Sequence, residues 1–573
     1  MTAPRRGRTT NERILAVLAV GLGLLGVLWV RCVYLQVLDP RGYAKIADAQ
    51  HRVTQPLHAI RGTITDRNGR PLALSIAAPS IFADARRVHE KSAMASRLAR
   101  LTGKDAAAIR QRLERDKGFV WIARQVDYEL LPNLMELRDA GIGTQEELRR
   151  VYPQGRLGAH LLGFVNVDHQ GLEGLELSFN SSLRGEDGLT STLRDAKGDP
   201  LVGPWTRHVE PVEGGDLALT IDSVVQQAAE EALDWGAKKF RARGGSIIVM
   251  DPYSGEILAM ANYPTYDPNE PGKASPERRR NRAVTDLFEP GSIFKIVTAA
   301  ALLEEGKVRP EETFFCENGA WPTVAGHVLH DHHGHGTLTF REVISLSSNI
   351  GTAKAAQRLT PDELYGFIRA FGFGRKTGID VPGEISGIVP NPKTWWKVSM
   401  YNIPIGQGIA VTPIQLAVMT SVIANGGLRV TPHVIKGVRA PGGRVIRPSR
   451  RPEPERVLSY ATATTMQSIL TDAIESGTGQ LAKVQGLTVA GKTGTAQKLE
   501  PSGRYSHSRY VASFVGFGPV PDSRVVITVS MDEPRTTYFG GTVSAPMFRR
   551  IIEQLAAYWG LERHAPAQVA RAS

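Results

Sequence analysis

The sequence predicts an α/β protein tethered to a membrane: one N-terminal transmembrane helix, an α+β pedestal, and one large α/β domain. Three observations carry this reading. An uncharged apolar run over residues 14–30 follows Arg5, Arg6, Arg8 and Arg13. Pro- and Gly-rich stretches at 198–204 and 211–215 mark a boundary. From Leu217 onward, helix-period and strand-like segments alternate over roughly 340 residues, enough for one sheet covered by helices. A chain of 573 residues is too long for one core. Apolar content of 42% and charged content of 22% are ordinary for globular protein and exclude a large disordered fraction. The net charge of +12 comes without a basic helix interleaved with aromatics, so a nucleic-acid partner is excluded. Cys32 and Cys316 lie far apart, with Cys32 at the membrane segment, which argues against a structural disulfide.

Taken in order, residues 1–13 form a basic cytoplasmic arm and 14–38 the anchor. Arg31 snorkels to the outer interface and Tyr34 sits in the headgroup belt. The arginines keep the N-terminus inside and place everything after residue 40 outside. A cleaved signal peptide is the alternative, but no small-residue cleavage site follows the run. Residues 39–215 form the pedestal. Within it, Arg61-Gly62-Thr63-Ile64-Thr65-Asp66-Arg67-Asn68-Gly69 reads as a strand and a tight Asn-Gly turn leading into a strand over 72–76. Helical spacing covers 92–101 and 106–113, and 161–166 is strand-like. Residues 216–560 form the large domain: an amphipathic helix over 222–235, a buried strand over 245–251, a Pro-Tyr-Ser-Gly turn and a strand over 256–260. Residues 561–573 are a polar, Ala-rich tail, expected to be disordered.

The chemistry begins at Glu289-Pro290-Gly291-Ser292-Ile293-Phe294-Lys295, followed by the apolar run 296–303. Pro290 starts a helix and Gly306 stops it, which places Ser292 in the first turn, where backbone N–H groups favour developing negative charge. Lys295, three residues on, returns over the same face. A buried lysine can be neutral near pH 7 and take the serine proton. Ser345-Leu346-Ser347-Ser348-Asn349 opens a second helix. Ser347 can relay a proton, and the Asn349 amide can hold Lys295 and a substrate backbone. Two Lys-Thr-Gly runs follow. Lys376-Thr377-Gly378 precedes a turn-rich loop, whereas Lys492-Thr493-Gly494-Thr495 follows a strand-like run, so the second is chosen and Lys376 is read as a decoy. A small-residue strand edge lets an extended peptide pair with the backbone while Lys492 binds its carboxylate. The N–H groups of Thr495 and Ser292 then make an oxyanion hole. His327, His330, His332, His333 and His335, with Asp331, have a spacing that permits a metal; a glycine-punctuated loop of exposed histidines is the preferred reading, and no metal or cofactor is expected.

Ser-x-x-Lys, Ser-x-Asn and Lys-Thr-Gly in this order resemble the penicillin-binding serine acyltransferases. The box at Arg61–Gly69, Tyr152-Pro153, Gly171–Glu176, Phe371–Glu384, Ile405–Leu416, Ala512–Phe517 and Phe539-Gly540-Gly541 resemble class B members, and these matches span nearly all of residues 34–555. The resemblance implies an antiparallel sheet flanked by helices and a non-catalytic, dimerisation-type pedestal. It also implies a D,D-transpeptidase acting on peptidoglycan stem peptides that end in D-Ala-D-Ala, inhibited by β-lactams. No room precedes Arg61 for a glycosyltransferase domain, so a membrane-embedded glycan polymerase and other division proteins are the implied partners. The length without an appended repeat domain fits the septal type. An elongation-type enzyme and a D,D-carboxypeptidase or β-lactamase are the alternatives. A β-lactam sensor is disfavoured by an arm of about 13 residues, too short for a signalling domain.

Overall fold

The structure is a computed structural model. It describes residues 10–37, 42 and 52–561, except 116, 195–199, 202, 325, 441–444, 447–450 and 501. Arg5, Arg6, Arg8 and the tail beyond Leu561 lie outside the described residues. Packing divides the chain into residues 1–59 with 186–212, and residues 60–185 with 213–573.

Among the described residues of the first unit, one helix, Thr10–Gln36, is long and apolar enough to cross a membrane. Its 27 residues rise about 40 Å, and it starts before the expected span and runs unbroken through Arg31. Here the Arg52–Leu57 strand pairs antiparallel with Gly188–Arg194, which also pairs with Arg207–Val209.

The second unit is built on a five-stranded antiparallel sheet. Its strands are β1 (Gly244–Met250), β2 (Ile257–Tyr263), β3 (Ala490–Leu499), β4 (Tyr505–Gly518) and β5 (Val525–Asp532), in the order β2-β1-β5-β4-β3. The strands alternate. Phe514, Ile527 and Val529 pack with helices α1 (Ser223–Phe240) and α6 (Ala545–Tyr558). Val515, Phe517 and Val526 join the core of α2 (Lys295–Glu304), α3 (Asn349–Ala356), α4 (Pro413–Ala424) and α5 (Tyr460–Glu475). A sheet covered on both faces reads as apolar runs, which is why β1 was legible as a buried strand. Helix α1 runs five residues past the expected end at Trp235.

In the pedestal, strand Pro71–Ala83 pairs with Ile142–Val151 and Val120–Ala123 and packs on helices Lys91–Thr102 and Ala106–Glu114. Residues 161–166 are not a strand. Ala159–Leu162 is a helical turn whose Leu161 and Leu162 N–H groups both donate to Gly158 O. Adjacent leucines buried together carry no period, so the apolar run could not separate strand from helix.

The Arg61–Gly69 box joins pedestal to sheet domain. Arg61 is wholly buried and donates to Glu176 at 2.7 Å, and Arg150 donates to the other oxygen of the same carboxylate at 2.7 Å. Asp66 accepts from the N–H groups of Asn68 and Arg70, both at 2.8 Å, closing the turn. Its second oxygen takes the hydroxyl of Ser223, at the start of α1.

Candidate active site

Ser292 sits in a 3-10 turn, Gly291–Phe294, that runs directly into α2. Gly291 has φ +53°, and a Cβ there would lie 2.8 Å from Thr495 O, so glycine lets β3 press against the turn. Gly494 completes that fit, since its Cβ would meet the Ile293 side chain at 2.9 Å. Every residue of α2 from Lys295 to Leu302 is buried, and Lys295 has no exposed surface. Its Nζ donates to Ser347 O at 2.6 Å and Ser347 Oγ at 3.2 Å. Among the described residues no hydrogen bond joins Lys295 to Ser292.

Ser347 occupies the left-handed region at φ +67°, uncommon for a residue with a Cβ and costing about 1–3 kcal/mol. Ser348 caps α3, accepting from Gly351 N at 2.9 Å, and Asn349 Nδ2 donates to His330 O at 2.8 Å. On β3, Lys492 is fully buried, Thr493 Oγ1 meets Thr478 Oγ1 at 2.9 Å, and Thr495 Oγ1 accepts from Gly540 N at 3.0 Å. Among the described residues strand β3 is the edge of its sheet, paired only with β4.

Burial drives the Lys295 ammonium well below its ordinary range, helped by the nearby Lys492 charge and opposed by the Asp331 carboxylate. Burial alone lowers Lys492 to about 7. Ser292, Ser347, Asn349, Thr493 and Thr495 line one cleft of about 740 Å³. Lys295 and Lys492 are enclosed behind it. The arrangement offers a hydroxyl, a depressed amine held by a second hydroxyl, and an open strand edge backed by a cation.

Residues 245–553 match the penicillin binding protein transpeptidase domain, and residues 56–219 match the penicillin-binding protein dimerisation domain. The chain is a class B penicillin-binding protein. It is similar to the "Probable peptidoglycan D,D-transpeptidase PenA" of Neisseria meningitidis, 35% identical over 556 residues, covering 96% of this chain and 93% of the relative. The "Peptidoglycan D,D-transpeptidase FtsI" of Escherichia coli is 34% identical over 546 residues, covering 92% and 88%. The crystal structure of penicillin binding protein 3 from Mycobacterium tuberculosis complexed with ampicillin superposes with a TM-score of 0.71 at 30% identity, covering 90% of this chain and 98% of that one.

In this class B penicillin-binding protein, Lys376 lies exposed on a loop far from the burial of Lys492. Its neighbour Thr377 donates N–H and hydroxyl to Glu384 at 2.6 and 2.5 Å, which makes the Lys376-Thr377-Gly378 run a turn. The histidines do not converge. His327 bonds Thr323 within its own hairpin at 3.0 Å, and His332 Nδ1 meets His333 Nε2 at 3.2 Å at the cleft mouth. Among the described residues no group of three His, Cys, Asp or Glu side chains could hold a metal ion.

Sequence reasoning missed Thr478, and it missed Glu289, which accepts from Tyr505 OH at 3.1 Å and Gly408 N at 2.8 Å. It also missed the wall of Tyr510, Tyr538 and Phe539 along the cleft, where Tyr510 stacks on Tyr538 at 4.1 Å and Phe539 lies tilted against Tyr538 at 4.4 Å. Thr478, Tyr510 and Tyr538 stand in no short motif, and Glu289 and Phe539 fall in stretches that the sequence singled out without giving either residue a role. The signal that was available is burial of a carboxyl, and that is a property of the fold.

Proposed function

We propose that this protein cross-links peptidoglycan stem peptides by serine acyl transfer during septal wall synthesis. The observation that carries the reading is a half-buried serine at an open strand edge, flanked by two fully buried lysines with depressed proton affinity. Neutral Lys295 takes the Ser292 proton, and Ser292 Oγ attacks the carbonyl of the penultimate D-Ala. The N–H groups of Ser292 and Thr495 hold the oxyanion. The amide breaks, Ser347 passes the proton to the departing amine, and terminal D-Ala leaves. The amine of a neighbouring stem peptide then attacks the acyl ester, forms the cross-link and restores Ser292. Thr493, Gly494 and Thr495 pair with the extended donor peptide, Asn349 orients its backbone, and Lys492 meets its terminal carboxylate.

The N-terminus lies in the cytoplasm and the catalytic domain outside, consistent with the arginine arm before a helix able to span the membrane. A β-lactam mimics the D-Ala-D-Ala end and acylates Ser292. A membrane-embedded glycan polymerase supplies the strands. The test is intact mass of the full-length protein in detergent after a β-lactam, beside Ser292→Ala. A persistent adduct on wild type alone is expected. Turnover of the drug would make the protein a hydrolase, and no adduct on either would end the acyltransferase reading.

A further inference from the structure

Asp331 belongs to no element of the mechanism above, yet the fold delivers it to the centre of the site. It follows a small antiparallel hairpin, Ala320–Pro322 paired with Val328–His330. Leu329 is buried in the core beneath α2, with Trp321 packed against it, so the hairpin has a fixed footing. Asp331 N donates to Gly319 O at 3.1 Å, directing the chain at the start of α3. There one carboxylate oxygen accepts the backbone N–H of Asn349 and, at 3.0 Å, that of Ile350. The other accepts Ser348 Oγ at 2.6 Å. Three donors at the start of a helix thus converge on one carboxylate, where the helix dipole also favours a negative charge. The preceding residue is Ser347, in its left-handed conformation, whose carbonyl accepts from Lys295 Nζ. The same hairpin supplies His330 O, which orients the Asn349 amide.

We propose that Asp331 is a positioning residue for acylation: its carboxylate fixes Ser347 and Asn349 in their working geometry and offsets the charge of buried Lys295. The inference rests on the reading of Lys295 as the base that activates Ser292. The groups facing Lys295 are Lys492 from β3, Cys316, Ser347 and Asp331, and the first and last act on its charge in opposite senses. His332, His333 and His335 also line the cleft beside Asp331.

The test is the second-order rate constant for acylation of the full-length protein in detergent by benzylpenicillin, measured across a pH series, with thermal midpoints recorded in parallel. Wild type must form an adduct that Ser292→Ala does not; if it fails to, the acyltransferase reading falls, whatever Asp331 does. Asp331→Asn keeps the shape and an acceptor oxygen but removes the charge. Its acidic limb should move to lower pH, because the carboxylate that favours the Lys295 cation is gone. Asp331→Ala removes the grip on the loop as well and should acylate about 100-fold more slowly, the scale of a small misplacement of reacting groups. If the Ala variant does not fold, the limb of the Asn variant decides alone. A slower Asn variant with an unmoved limb would make Asp331 an ordinary helix cap and overturn the proposal, as would wild-type rates and limbs in both variants.

Discussion

The pedestal and the catalytic cleft each bury charge, and they handle it in opposite ways. In the pedestal, Arg61 and Arg150 share the Glu176 carboxylate, with Tyr152 OH on the same oxygen at 3.3 Å. Arg61 also donates to His169 O and Asn180 Oδ1, both at 2.9 Å. Each of these three charges has an opposite charge within hydrogen-bond reach. In the cleft, Lys295 and Lys492 are equally buried, but among the described residues they bond only hydroxyl and carbonyl oxygens. A buried cation without a carboxylate against it loses its proton instead of finding an ion pair. A charge in hydrogen-bond contact with its counter-ion holds a shape; a buried amine without that contact is available for chemistry.

Lys295→Met tests the catalytic side hardest. Acylation by a β-lactam should fall by about 10²–10⁴-fold, the usual worth of a positioned base, while the thermal midpoint stays level or rises because a desolvated amine is removed. Glu176→Gln inverts that outcome. It leaves two buried arginines short of charge and should cost about 3–5 kcal/mol of stability, read by denaturant or thermal unfolding, with the folded fraction acylating at the wild-type rate. Equal loss of activity in both variants would erase the distinction.

A subtler effect follows from Lys492. Its proton affinity falls from an ordinary 10.5 in the unfolded chain to about 7 in the fold. Between those values the unfolded state binds more protons, so wild type should gain stability relative to Lys492→Met as pH rises through that window. A flat difference would mean that Lys492 stays charged in its enclosure. The smallest effect belongs to Lys376→Ala. An exposed lysine on a turn should change stability by no more than about 0.5 kcal/mol and leave acylation untouched. A large loss there would reverse the choice between the two Lys-Thr-Gly runs.

Much of this was legible before any coordinates. The strand patterns of β1 and β2, the helical spacing of the two pedestal helices and the order of Ser292, Ser347 and Lys492 all follow from local rules. The Asn-Gly turn at 68–69 was readable for the same reason. What local rules could not give was distance. The link between Arg61 and Glu176 spans 115 residues, and that between Asp331 and Asn349 depends on a preceding hairpin whose strands are three residues each. Asp331 was noticed only as company for five histidines, because burial and hydrogen bonding of a carboxyl leave no periodic trace. The short helix at Ala159–Leu162 failed from the same cause: neighbouring leucines are equally at home in a strand.

The position of β3 at the end of its sheet has one more consequence. A guest strand laid along that margin is held by its main chain, which every peptide possesses, so side-chain identity contributes little to whether it is admitted. What is screened is posture: a segment must be straight over several residues to find successive partners, and a folded or turned one finds none. A catalyst for joining wall strands thus admits its donor by the posture of the main chain as well as by its terminus.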